Sequence, residues 1–258
     1  MNEYDSYYEF YDLLHGEDQH DVPFYLEMAK KIGGPVCELA CGTGRILLPL
    51  AREGFDVTGL DVCQAMLDRL QAKLSKESRE TRKRVTLVRG DMREHRFERP
   101  FKLVFCAFNS FLHLKATEDQ LRCLETVRSY LADDGRLVVN IFAPRYDWLA
   151  QKEQVTRQKK TDPETGRDLF VTNVTKREWR DQTMQAYQYV DRIGEDGTVR
   201  RLCANFSLCW IFNREMLLLL RLAGYEVEAV YGDYNQRPYD YVSGIQLFVA
   251  RKQPVSRR

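Results

Sequence analysis

The chain has 258 residues, and its 39 basic and 38 acidic side chains leave a formal net charge of +1. That length suits one α/β domain with an insertion and a sizeable core, and the balanced charge gives no reason to expect a nucleic-acid backbone as partner. Seven cysteines without a Cys-x-x-Cys pair argue against a zinc site or a disulfide framework, the longest aliphatic run ("MLLLLRLAG") is too short to cross a bilayer, and the acidic, aromatic opening "MNEYDSYYEFYDLL" does not read as a signal peptide. A soluble, cytoplasmic protein is expected.

In chain order, "DVPFYLEMAKKIG" predicts a helix capped by Asp21, with an early proline and a terminal glycine. "PVCELA" predicts a short apolar strand and "TGRILLPLAREG" a helix ending at Gly54. "DVTGLD" predicts a second strand, "CQAMLDRLQAKL" a helix, and "RVTLVRGD" and "KLVFCAF" two more strands. A helix from Thr117 to Ala132, a "DDG" turn and the nearly all-apolar "RLVVNIFA" complete the alternation, while basic runs such as "TRKRV" read as solvated surface. Strands that are apolar on both faces and alternate with helices predict a parallel sheet covered by helices. From about 151 to 212 the period changes to antiparallel β, with hairpin turns at "DPETGRD" and "GEDG". A helix capped by Asn213 and strands near 226–232 and 244–251 follow. Three regions result: 1–150 as the first part of an α/β domain, 151–212 as a β insertion placed to cap the substrate, and 213–258 completing the α/β domain.

The stretch "VCELACGTGR" (36–45) places Gly-x-Gly between strand and helix, but Leu47 stands where a dinucleotide fingerprint needs a third glycine. Asp61 ends the second strand, where a carboxylate can take both hydroxyls of a ribose. Asp91, after the third strand, can accept from an adenine amine, and Glu38 can position an amino-acid portion through the loop or water. Carboxylates without a phosphate cradle suit a cationic adenosine derivative.

This set resembles the class I S-adenosylmethionine-dependent methyltransferases, on "ELACGTG", Asp61 and "GDM", over roughly residues 20 to 150 and 213 to 251. The resemblance implies a Rossmann-like seven-stranded sheet with its last strand antiparallel, here carrying an antiparallel β insertion after the fifth strand. It implies S-adenosylmethionine as cofactor, held by Glu38, Ala40, Gly42, Gly44, Arg45, Asp61, Val62, Met66, Asp91, Met92 and Phe108. "FNSFLHL" (108–114), "RYDWL" and "EFYDLLHG" are similar to stretches of the glycine and sugar-amine N-methyltransferases. That likeness implies that Asn109 contacts the substrate and that Tyr11 lies near the transferred methyl. The arginine with which the glycine enzymes clamp a carboxylate is replaced here by Pro144, with Arg145 displaced by one, so glycine itself does not fit well.

A small-molecule methyltransferase acting on an amine nitrogen is the leading expectation. An O-methyltransferase with His113 as base, and a non-catalytic cofactor-binding protein, are the alternatives. His113 is either that base or a histidine that orients the loop; Tyr11 is either a hydroxyl donor or a packing residue. Arg145 either binds an acidic group of the substrate or solvates its loop, and Tyr234, in the aromatic cluster "VYGDYNQRPYDYVSG", either walls the substrate or packs against the insertion. No Asp/Asn-Pro-Pro-Tyr signature for a flipped base follows the fourth strand, no metal is expected, and the insertion is a candidate surface for a homodimer.

Overall fold

The structure is a computed structural model describing residues 8–16, 19–162 and 165–253. In chain order it contains α1 (Tyr8–His15), α2 (Val22–Ile32), β1 (Val36–Leu39), α3 (Leu47–Arg52), β2 (Val57–Asp61), α4 (Gln64–Leu74), α5 (Arg79–Lys83), β3 (Val85–Arg89) and β4 (Phe101–Cys106). A 3-10 turn (Ser110–His113) leads to α6 (Thr117–Tyr130), β5 (Leu131–Phe142) and α7 (Tyr146–Leu149). Then come β6 (Glu153–Thr161), β7 (Asp168–Glu178), β8 (Thr183–Ile193), β9 (Val199–Cys209), α8 (Asn213–Leu222), β10 (Tyr225–Tyr231) and β11 (Ile245–Lys252). Among the described residues, no helix is long and apolar enough to cross a membrane.

Two compact units emerge. The larger comprises residues 19–143 and 211–253, built on a seven-stranded sheet in the order β10-β11-β5-β4-β1-β2-β3. β5, β4, β1, β2 and β3 run parallel, and β11 is antiparallel to both β5 and β10. β1 and β2 are buried at every position, as continuous apolar strands covered on both faces must be. Helix residues such as Phe24, Tyr25, Leu47, Leu50 and Leu70 join Val36, Leu103, Phe105 and Val138 of the sheet in one core. Because β1 pairs with β2 on one side and β4 on the other, successive connections leave in opposite directions there, and a crevice opens at the carboxyl ends of β1 and β4.

The smaller unit joins α1 and residues 144–210, around the antiparallel sheet β6-β7-β8-β9. Along β8 buried and half-buried positions alternate through Met184, Ala186, Gln188 and Val190, the pattern of a strand with one covered face. Lys160 Nζ donates to the Leu14 carbonyl at 2.9 Å, tying α1 to β6. The Arg177 guanidinium stacks 3.8 Å from the Trp148 ring centre and donates to the Gln151 carbonyl at 2.7 Å, tying α7 to β7.

Local differences from the sequence reading have physical causes. Residues 43–46 form a turn, so α3 starts only at Leu47. α8 is not capped by the Asn213 side chain; the Glu215 carboxylate accepts from the Phe212 N–H at 2.8 Å. A short helix, α5, overlaps the basic run; Arg82 and Lys83 are exposed as expected, and the buried Thr81 is the helix's inward anchor. The "DDG" segment falls inside β5, whose pairing with β4 shifts register there.

Candidate active site

The crevice is built from the turns that follow β1, β2, β3 and β4. After β1 the chain enters the left-handed region at Ala40 (φ 52°), Gly42 (φ 53°) and Gly44 (φ 81°). A Cβ at Gly44 would lie 2.2 Å from Leu70 Cδ1, so this glycine lets α4 pack against the turn. A Cβ at Gly42 would meet none of the described residues within 4 Å, leaving space above the backbone. Lys73 Nζ reaches from α4 to the Thr43 carbonyl at 3.1 Å and braces the turn from below.

Asp61 ties the second strand to this turn. Its Oδ2 accepts from the Gly42 N–H and its Oδ1 from the Cys63 N–H, both at 2.8 Å. Burial pushes its carboxyl up from the ordinary range, and the N–H donors of Cys63, Gly42 and Val62 pull it back. Each carboxylate oxygen has more than one acceptor direction, so an oxygen that already takes an N–H can still accept from a hydroxyl. Val62, beside it, is 48% exposed, an apolar surface next to that acceptor pair.

Glu38, on β1, is 4% exposed, and its Oε2 has no hydrogen-bond partner among the described residues. Burial raises its carboxyl well above the ordinary value, and the charge of Arg45 acts in the opposite sense. Arg45 itself is clamped by Asp21, which is fully buried: Nη1 donates to Oδ1 and Nη2 to Oδ2 at 2.7 Å. The predicted cap of α2 is therefore a correction: the Asp21 side chain makes no cap bond and is spent on Arg45. The guanidinium in turn sits 4.9 Å from the centre of the Phe108 ring.

Asp91 follows β3, and Arg93 covers it, donating through Nε at 3.0 Å to Oδ1 and through Nη2 at 2.6 Å to Oδ2. The hydrogen-bonded guanidinium holds the Asp91 carboxyl below the usual range. Met92 is half-buried beside it, whereas Met66 is buried on α4.

After β4, Phe108 (φ 52°) and Asn109 (φ 66°) are consecutive left-handed residues that are not glycine. The Asn109 Oδ1 is buried without a partner among the described residues. His113 is half-buried at the end of the 3-10 turn. Tyr234 packs edge-on to His20 and Phe24, at ring-centre distances of 5.0 and 6.1 Å. Tyr11 and Arg145 belong to the smaller unit; Tyr11 lies 5.0 Å from the His15 ring, and Arg145 is exposed and paired with Asp147 at 2.8 Å.

Two members of the site's unit escaped the sequence reading. Asn140, 1% exposed near the carboxyl end of β5, accepts through Oδ1 from the Phe108 N–H at 3.0 Å and from the Tyr234 hydroxyl at 3.1 Å. The one available signal was a lone amide in "LVVNIF", where a polar side chain needs a reason to be buried. Tyr25, buried with an unpartnered hydroxyl, reads in sequence only as a core aromatic.

The donor set suits an adenosyl sulfonium amino acid. Asp61 offers acceptors for a vicinal diol, Glu38 holds an unsatisfied buried acceptor for the cationic amino-acid end, and the space over Gly42 admits a ligand close to the backbone. Together with the sheet order, this is the fold and the cofactor crevice of the class I S-adenosylmethionine-dependent methyltransferases. Residues 36–135 match the family described as "Methyltransferase domain", and the chain carries that domain on the crevice just described. The cypemycin N-terminal methyltransferase of a Streptomyces species is 28% identical over 86% of this chain and 84% of its own length. The glycine/sarcosine N-methyltransferase of Parasynechococcus marenigrum is 29% identical over 83% of this chain and 71% of its own. Among solved structures, the CcbJ methyltransferase from Streptomyces caelestis shares the fold with a TM-score of 0.82 at 24% identity, covering 98% of this chain and all of the other (100%).

Proposed function

We propose that this methyltransferase acts on an amine nitrogen of a small molecule. The observation that carries the reading is the Asn109 side chain: its Oδ1 is a buried acceptor with no donor among the described residues, set at the carboxyl end of β4 beside the crevice. An amine acceptor still has an N–H to give to that oxygen while its lone pair points elsewhere. The names of the cypemycin and glycine/sarcosine relatives support the same class of acceptor.

When bound, S-adenosylmethionine supplies an activated methyl group, so the chain's work is to bind, orient and exclude water. Asp61 would take the ribose hydroxyls and Glu38 the amino-acid end, with Val62 and Phe108 as apolar walls. Positioning of this kind can supply roughly 7–11 kcal/mol of the barrier. An amine must arrive without its extra proton, which costs about 4 kcal/mol for a pKa about 3 units above neutral. An apolar wall favours the uncharged amine, so a strong base is dispensable for nitrogen in a way it is not for a hydroxyl.

The test is turnover of a panel of small amines against phenols and carboxylic acids, read as S-adenosylhomocysteine release, with wild type and His113→Ala. Turnover of an amine that survives His113→Ala is expected. Turnover confined to hydroxyl or carboxyl acceptors and abolished by His113→Ala would overturn the reading.

A further inference from the structure

Nothing in the motif pattern gives Asn140 a role, yet its side chain joins three parts of the site's unit. Its Oδ1 receives the Phe108 N–H at 3.0 Å and the Tyr234 hydroxyl at 3.1 Å, while its own carbonyl receives the Asn109 N–H at 3.3 Å. The amide orientation follows from chemistry: the Phe108 N–H can only donate, and turning the carboxamide would aim two donors at each other. Phe108 and Asn109 need such a hold, because two consecutive left-handed residues, one of them a phenylalanine, persist only where their surroundings enforce that backbone. The bonded turn aims the unpartnered Asn109 Oδ1, and the same turn sets the Phe108 ring against Arg45. The Asn140 Nδ2 is buried and unpartnered, so the side chain acts here through its acceptor oxygen.

We infer that Asn140 is a positioning residue for the methyl acceptor: one buried carboxamide oxygen fixes both the Phe108–Asn109 turn and the Tyr234 hydroxyl, so that the two move as one wall. The inference rests on the amine reading for what Asn109 contacts, but its structural half can be tested without any acceptor. Hydrogen–deuterium exchange would follow the peptides covering 107–114 and 232–244 in wild type, Asn140→Leu, Asn140→Asp and Tyr234→Phe, with affinity for S-adenosylhomocysteine measured alongside.

Asn140→Leu is expected to speed exchange at least fivefold in both peptides while β1 and β2 stay protected. Asn140→Asp keeps an acceptor oxygen and is expected to restore slow exchange in the 107–114 peptide. Tyr234→Phe is expected to loosen 232–244 and leave 107–114 slow. With an amine that the wild type turns over, Asn140→Leu should raise the KM for that amine at least tenfold and change the S-adenosylmethionine KM less than twofold. Unchanged exchange in a folded Asn140→Leu, a uniform rise across the sheet, or failure of Asn140→Asp to restore the turn would each overturn the inference. If no amine is turned over, the functional reading falls, and the exchange pattern still decides the role of Asn140.

Discussion

Asp21 and Arg45 form a bidentate ion pair in the larger unit, with Nη2 2.7 Å from Oδ2 and the aspartate wholly buried. Arg45 is also the charge that counters the buried Glu38, so the pair sets the electrostatics beneath the crevice. Breaking a buried pair from one side strands the other charge, and Asp21→Asn should therefore cost about 3–5 kcal/mol of stability. The double variant Asp21→Leu/Arg45→Met should lose less than the two single changes added together. Urea unfolding measures both; an Asp21→Asn protein within about 1 kcal/mol of wild type would contradict a structural role for the pair.

Asp61 serves the fold and the ligand with the same two oxygens. Asp61→Ala removes the acceptor of the Gly42 and Cys63 N–H groups as well as the seat for a diol. Hydrogen bonds to a charged group are worth about 1.5–3 kcal/mol each, so losing the two to the diol should lower affinity for S-adenosylhomocysteine by at least about 100-fold. Asp61→Asn, which keeps one acceptor, should fall between. Titration calorimetry reads the affinity, and undiminished binding by Asp61→Ala would remove the ribose assignment.

Glu38 predicts a proton-linked affinity. In the free protein burial raises its pKa, so the folded state binds the proton more tightly than the unfolded chain does. The stability this contributes is present below the unfolded pKa and is lost as pH rises through the raised folded one. A cationic ligand favours the carboxylate and lowers that pKa, so binding releases a proton and affinity rises with pH across the same window. Glu38→Gln removes the titration: S-adenosylmethionine affinity should become flat with pH and weaker. The ligand-free protein at neutral pH should gain about 1 kcal/mol, or about 2–4 °C in Tm. Calorimetry in buffers of different ionisation enthalpy counts the proton; none released by wild type would refute the linkage.

What sequence could and could not reveal follows from distance along the chain. The β1 turn is local: Gly42 and Gly44 carry the left-handed backbone, and strand-turn-helix order is visible within ten residues or so of them. Asp61 was legible because parallel pairing of β1 with β2 puts the ends of adjacent strands side by side. Asp21 was misread because Asp before Val-Pro is a good helix cap, whereas its partner Arg45 lies 24 residues away. Asn140 was invisible for the same reason: Tyr234 is 94 residues away, and no periodicity encodes that bond.

Gly42 and Gly44 have different jobs two residues apart, and alanine separates them. At Gly44 the new Cβ would lie 2.2 Å from Leu70 Cδ1 and 3.3 Å from its Cγ, and Leu70 is itself fully buried. Overpacking adds roughly 1–3 kcal/mol to the cost of left-handed backbone, so Gly44→Ala should be strongly destabilised. At Gly42 the methyl enters open space and only the backbone term of roughly 1–2 kcal/mol applies. That space is where a ligand meets the turn, so Gly42→Ala should stay folded while losing at least tenfold in S-adenosylhomocysteine affinity. Thermal unfolding and calorimetry on the two variants give the comparison. A Gly42→Ala protein that binds like wild type would mean the ligand does not approach this backbone, because no described residue competes for that volume.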